Sequence, residues 1–484
     1  MKIIKKYRLL PVHVKASLWF LCCSFLQKGI TVLTTPVFTR LMSTTQYGEF
    51  SAFSSWKNII SIFVSFQLSY GVFTQGLIKY EDDRKAYASA MQTFSFVLCG
   101  SWTLLYLLSR TFWDRIFHLT TAQMLLMLIT IWATSVFNFW AAVQRVELHY
   151  KALVLVTLLA AFGKSILGIA MVYIADDKVT ARILAIALAE VICFSGLFVY
   201  QLRNGKTFCV PAYWKHAVQF NIPLIPHYLS QTVLNSSDRI MIARMVSEAH
   251  AGIYSIAYSI ALLMTLFSTA ITQTLEPWLY KKIKDRRENE IADVVYAALV
   301  FFALVNLLLI AFAPEMVAIF APPAYREAIW VIPPVAMSTF FMFGYSIFAA
   351  FGFYYEKTSF VMYATVSGAV VNIVLNYLLI GRFGYLAAGY TTLFCYILFA
   401  CAHYYFSVRI CDRYMDGARP YNAGVLVLVS AAFMSAGFLM LFLYNHRILR
   451  YAAVAVICAG FVLYRKPIMQ ILTMTLRIRK KSEN

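Results

Sequence analysis

The feature that most limits what this chain can become is a succession of apolar runs, each close to the ~20 residues that a helix needs to cross the hydrocarbon core of a bilayer. They fall near residues 14–36, 50–76, 88–108, 121–143, 152–174, 181–201, 217–240, 252–275, 292–313, 328–351, 359–380, 385–407, 422–443 and 449–464. Lipid offers no partners to backbone N–H and C=O groups, so runs of this length must close their hydrogen bonds internally, as helices. The expected fold is all-α, a polytopic membrane protein of about 14 transmembrane helices. Composition agrees: 61% of the 484 residues are hydrophobic and only 13% charged, where a soluble domain carries roughly 25%.

A net charge of +20 would suit a nucleic-acid binder, so the placement of the basic residues decides. They gather at Lys2, Lys5, Lys6 and Arg8, at 281–287 and at 465–481, all on one side of the membrane when the spans are counted. This is the positive-inside pattern: the N- and C-termini are expected in the cytoplasm, and no nucleic acid is needed. The basic start followed by an apolar run lacks a small-x-small cleavage pattern and reads as a retained first span. Nine scattered cysteines show no metal-ligand spacing and read as core hydrophobes.

Within this apolar background Lys28 and Lys57 stand in two consecutive spans with no acidic residue within helical reach. A lysine at mid-bilayer costs roughly 2.5–3.5 kcal/mol unless something anionic or aqueous receives it. The two are nearly equidistant from the turn at 39–43, so a hairpin would hold them at one depth. Ser24, Lys28, Thr31 and Thr35 share a helix face, as do Ser54, Lys57, Asn58, Ser61 and Ser65; His227, Gln231, Asn235 and Asp238 form a third stripe, Thr365, Asn372 and Asn376 a fourth. Helix packing explains Ser and Thr stripes. It does not explain ammonium groups, and a water-filled cationic cavity lined by Lys28, Lys57, Gln27, Asn58, Gln231 and Asn235 is expected.

Lys164 and Glu190 straddle the loop at Asp177 symmetrically, which predicts a neutralising pair at matching depth, with proton coupling at Glu190 as the sharper alternative. Glu190 reads as the only carboxylate deep in a span. Asp238 and Arg239 follow Pro223 and Pro226, which should break or kink their helix; the pair is either an interfacial ion pair or part of a cavity lining. His227 reads as a packed or cavity-lining residue.

A repeat sets the domain organisation. Arg40, Ser43, Gly48 and Ser51 recur without gaps as Arg244, Ser247, Gly252 and Ser255, at an offset that also maps Gln27 onto Gln231. Six spans fit between the copies, an even number, so both halves enter the membrane in the same direction. The expectation is two six-helix bundles, 1–205 and 206–410, related by a pseudo-two-fold axis along the membrane normal, with two further helices and a basic tail in 411–484. Such halves place a site between them and alternate its access. Gly48 and Gly252 end a tight turn or open the next helix; Arg40 and Arg244 are snorkelling residues or gate elements. No nucleophile elbow, phosphate loop or zinc motif stands in a plausible context, so the chain reads as a transporter, not an enzyme.

The stretch Pro36-Val37-Phe38-Thr39-Arg40-Leu41-Met42-Ser43 through Tyr47-Gly48 resembles the hallmark of the polysaccharide transport family of the MOP exporter superfamily, the Wzx-type flippases. Asn221-Ile222-Pro223-Leu224-Ile225-Pro226, Asp238-Arg239 and Gly252-Ile253-Tyr254-Ser255 resemble its second-half signature. The resemblance covers about residues 10–410 and departs at Thr44, where the family carries proline. It implies a flippase of undecaprenyl-pyrophosphate-linked oligosaccharide, a repeat unit of O-antigen, capsule or exopolysaccharide, in the bacterial inner membrane. It also implies basic residues of the first two helices, here Lys28 and Lys57, in the cavity. Membrane lipid, a glycan polymerase and a chain-length regulator are the partners this implies, with coupling to protons or sodium open and no cofactor expected. The rival readings are a multidrug exporter of the same superfamily, which would use carboxylates, a membrane-embedded glycan polymerase or ligase, and a scaffold of a glycan-assembly complex.

Overall fold

The computed structural model describes residues 12–357 and 359–463; the basic groups at Lys2, Lys5, Lys6, Arg8 and 465–481 lie outside them. Among the described residues every regular element is a helix, and the chain divides into two compact units, Met1–Ser236 and Ser237–Asn484.

The first unit contains α1 (Val12–Leu41), α2 (Thr44–Ser65), α3 (Val72–Lys79), α4 (Arg84–Leu108), α5 (Arg110–Phe117), α6 (Thr121–Val146), α7 (Tyr150–Ile174), α8 (Lys178–Gly205), α9 (Pro211–Asn221) and the start of α10 (Ile225–Met245). Helix α8 packs against α4, α6 and α7, and α1 lies along α7. The apolar run expected as one span over 50–76 is two helices. Ser43 caps α2 through a reciprocal pair with Gln46, and α2 stops at Ser65, where Phe66 and Gln67 turn left-handed at φ 52° and 49°. Asn221 supplies the reason: buried, it donates its side-chain amide to the Phe66 carbonyl at 3.1 Å and meets the group that the helix leaves open. Leu68, Val72, Phe73 and Leu77 then turn inward onto Tyr87, Met91 and Phe139, so this apolar sequence is core.

The second unit contains α11 (Glu248–Ala261), α12 (Leu263–Lys284), α13 (Ile291–Ala311), α14 (Ala313–Phe320), α15 (Ile332–Tyr354), α16 (Ser359–Phe383), α17 (Leu386–Tyr414), α18 (Ala423–Leu443) and α19 (Arg447–Leu463). Its centre is α15, buried along most of its length against α17, α12, α13 and α11, while α18 and α19 pack on α13.

Among the described residues, eleven helical stretches are long and apolar enough to cross a membrane, with α11 and α12 counting as one over Glu248–Lys284. The other three expected spans are α2, α10 and α19. The first two carry the Lys57 and Asp238 stripes that lower their apolarity, and α19 has 17 residues. Pro223 and Pro226 do alter their helix: a 3-10 turn, Ile222–Leu224, joins α9 to α10. Gly48 and Gly252 make no tight turn. Each is buried inside the first turns of its helix, and it is Ser43 and Ser247 in the repeat that do the capping, their hydroxyls accepting the backbone N–H of Gln46 and His250.

Candidate functional site

Each unit carries a buried polar centre with a carboxylate in it. In the first, α8 presents Glu190 between α6 and α7. The carboxylate is 5% exposed, and accepts from the Lys164 ammonium at 3.0 Å and the Thr134 hydroxyl at 2.8 Å. Lys57 enters from α2, near enough that Glu190 attracts its charge and Lys164 repels it. Its own helix holds no carboxylate within reach, as the sequence indicates, while α8, which packs against α2, brings Glu190 into its electrostatic field. Two ammonium groups and one carboxylate leave one positive charge over. Thr134 escaped the sequence reading because nothing in an apolar run marks one threonine as a carboxylate partner.

Lys28 stands apart from this cluster, exposed on α1 beside exposed Gln27, Ser24 and Thr31. The Ser24, Thr31 and Thr35 hydroxyls donate to carbonyls of their own helix, those of Phe20, Gln27 and Thr31, at 3.0, 3.2 and 2.8 Å. The stripe is therefore not consumed in joining helices. Asn58, next to Lys57, is likewise exposed.

In the second unit Asp238 is 2% exposed and fully engaged. Its Oδ1 accepts the Asn376 amide at 2.6 Å, and its Oδ2 accepts the Tyr254 and Thr392 hydroxyls at 2.6 and 3.0 Å. Asn376 also donates to Asn372 Oδ1 at 3.2 Å and accepts the Thr391 hydroxyl. The hub joins α10, α11, α16 and α17, so Asp238 is a buried structural carboxylate, neither an interfacial ion nor a cavity wall, and Glu190 is not the only deep one. The Arg239 guanidinium lies over the Tyr258 ring at 4.3 Å. On the same helix Gln231 and His227 are half-buried, and Asn235 is exposed with its amide on the Gln231 carbonyl at 2.8 Å.

Around the first copy of the repeat, Arg40 is exposed and donates to the Pro36 carbonyl at 2.8 Å; Arg244 in the second copy is also exposed. Two residues of α8 that were not singled out in the sequence hold this turn. Lys178 donates to the Leu41 carbonyl at 2.6 Å, and the Arg182 guanidinium lies 3.9 Å from the Phe38 ring and 3.7 Å from the Phe50 ring. Their one signal is position, two cations one turn apart where a span begins.

The sequence model of the family described as "Polysaccharide biosynthesis protein" matches residues 13–282, more than half the chain. The chain belongs to this family. A second family model, "MatE", matches 223–378. By fold this family member is similar to the solved structure of "Lipid II flippase MurJ, inward closed conformation", at a TM-score of 0.70 and 13% identity over 92% of this chain and 99% of that one. It is also similar to an inward-facing "multidrug resistance MATE family transporter of the MOP superfamily", at a TM-score of 0.58 and 14% identity over 81% and 96%. Among curated proteins, "Lsg locus putative protein 1" of Haemophilus influenzae is 25% identical over 217 residues, 41% of this chain and 51% of that protein. An "Uncharacterized membrane protein" of the same organism is 27% identical over 209 residues, 40% and 50%. The chain spans about half the length of the curated relatives it matches. Family, fold and apolar helices together make it a polytopic membrane protein.

Proposed function

We propose that the protein flips a lipid-linked oligosaccharide with an anionic pyrophosphate linkage, of the undecaprenyl type that feeds O-antigen, capsule or exopolysaccharide synthesis, across the bacterial inner membrane. In this reading both termini are cytoplasmic and the site opens alternately to the two sides. The observation that carries it is the grouping of two lysines, Lys57 and Lys164, around one carboxylate, Glu190, set in the same unit as the exposed polar stripe of Lys28. A cation kept at membrane depth costs several kcal/mol unless an anion or water receives it, and a pyrophosphate is such an anion. Lys28 and Lys57 bind the head group, Gln27, Asn58, Gln231 and Asn235 offer sugar-binding amides, and the lipid tail stays in the bilayer. Outward movement of each uncompensated negative charge gains about 2.3 kcal/mol per 100 mV of membrane potential. Glu190 is the carboxylate at which a proton or sodium ion would couple, and Arg40 and Arg244 are the candidate gate.

The test replaces Lys28 and Lys57 singly with Ala and with Arg, confirms membrane insertion, and measures lipid-linked glycan accumulating on the cytoplasmic face. Ala should cause accumulation and Arg should partly relieve it. Normal flipping by both Ala variants would remove the assignment. The match to "MatE" keeps drug export as a second reading, and the sign of the surplus charge opposes it, because a site for cationic drugs needs the opposite polarity.

A further inference from the structure

The second unit holds a polar cleft of about 620 Å³ that the flipping mechanism does not use. Its walls come from α14, from the 3-10 turn Pro323–Trp330, and from the α18–α19 connection with the first turn of α19. Three guanidinium groups line it, those of Arg326, Arg447 and Arg450, against one carboxylate, Glu315. Arg450 is the built part. It is 2% exposed and paired with Glu315, yet its Nε has no hydrogen-bond partner among the described residues, and neither has Glu315 Oε2. The Tyr451 hydroxyl holds the other Glu315 oxygen at 2.8 Å. Arg326 and Arg447 are exposed and form no hydrogen bond or ion pair among the described residues. The cleft thus has a surplus of two positive charges, and the N-terminus of α19 opens there, adding its partial positive charge.

Beside these cations stand residues that water does not suit. Ile319 is 61% exposed, Ile448 85% and Leu449 56%, with Trp330 and Tyr451 at the rim. Exposed aliphatic side chains flanked by aromatic residues and arginines mark the level where a membrane meets water. A cationic cleft at that level faces phosphate groups rather than free solutes.

We propose that this cleft binds the phosphate of an anionic membrane lipid, with Arg326 and Arg447 contacting the phosphate oxygens and the Arg450–Glu315 pair forming its floor. The planar fork of each guanidinium matches two phosphate oxygens at once, whereas a zwitterionic headgroup brings its own cation into an already positive site. Lys281, Lys282 and Lys284 are excluded as alternatives because they sit at the C-terminal end of α12, near Glu290, with the length of α13 between them and α14.

The full-length protein, purified in detergent, is titrated with dioctanoyl phosphatidylglycerol, dioctanoyl phosphatidylcholine and glycerol phosphate, and binding is counted by native mass spectrometry. The expected result is at least a ten-fold preference for phosphatidylglycerol over phosphatidylcholine. It should fall to about two-fold or less in R326A/R447A, which leaves Arg450 and Glu315 paired, and be largely kept in R326K/R447K. Competition by glycerol phosphate would show that the headgroup suffices; its failure, with the preference intact, would show that the acyl chains contribute. Equal preference in wild type and R326A/R447A, at unchanged melting temperature, overturns the proposal, as does the absence of any preference in wild type.

Discussion

Lys164 should be indispensable for transport without touching the substrate, and removing its partner as well should restore activity. In the native cluster Glu190 is held by Lys164 at 3.0 Å, which leaves Lys57 the charge in excess. K164M frees the carboxylate, and Lys57, already within its field, becomes its counter-ion. The surplus charge disappears although Lys57 is still present. K164M/E190Q removes both charges of the pair, keeps the amide oxygen that Thr134 binds, and leaves Lys57 positive. At 3.0 Å, Coulomb's law with an effective dielectric of about 20 gives roughly 5.5 kcal/mol for the native pair. Desolvation of Glu190 returns part of that, and Lys164 keeps 30% of its side-chain surface, so a net coupling of about 1.5–3 kcal/mol is expected from a double-mutant cycle. The assays are thermal melting of the purified variants and accumulation of lipid-linked glycan on the cytoplasmic face. E190Q alone should be the least stable, with two ammonium groups facing each other; K164M should fold but accumulate substrate; the double variant should recover most transport. If K164M/E190Q flips no better than K164M, Lys57 does not act through its uncompensated charge.

Asp238→Ala strands the Tyr254, Thr392 and Asn376 donors in a buried site and should cost about 3 kcal/mol or more, read as a lowered melting temperature; Asp238→Asn, which keeps the shape, should cost less. Gly368→Ala would place a methyl group 1.7 Å from the Phe399 ring where α16 crosses α17, and should lower the melting temperature unless Phe399→Leu is added. Arg182→Ala removes the cation between Phe38 and Phe50, with an expected loss of about 1–2 kcal/mol locally and faster amide hydrogen exchange over residues 42–50.

Where the sequence spoke clearly, it spoke through bulk hydrophobicity. The long apolar runs locate the helices, because length and apolarity decide a span almost alone. The breaks between helices are less visible. Phe66 and Gln67 adopt left-handed φ without glycine or proline, and the residue that satisfies the open carbonyl, Asn221, comes from 155 positions away. Lys164 and Glu190 announce each other because both lie on consecutive spans at matching depth. Lys57 and Glu190 do not, since their proximity needs α2 to pack on α8, a contact that no local pattern encodes. Asp238 looked like one end of an ion pair with Arg239 because they are neighbours in sequence. On a helix, adjacent side chains point apart, and each found its partners elsewhere.

The two polar centres differ in a way that bears on what each unit can do. Around Asp238 three neutral donors, Asn376, Tyr254 and Thr392, are matched to the two carboxylate oxygens, and Arg239 contributes a positive charge within the same unit, so the carboxylate is both hydrogen-bonded and electrically balanced. A network in that condition rigidifies the helices it joins and gains little from a ligand. Around Glu190 the hydrogen bonds are also made, but the charges do not cancel, and no rearrangement within the cluster can make two ammonium groups and one carboxylate neutral. Such a centre lowers its energy by admitting water, by releasing a proton or by taking an anion from elsewhere. Membrane depth makes the last option strong, since the field of an ammonium group is screened less there than in water. Selectivity for a negatively charged cargo then needs no elaborate recognition surface: it follows from one carboxylate too few, and adding a second carboxylate beside Lys57 should neutralise the cluster and abolish the preference for anions.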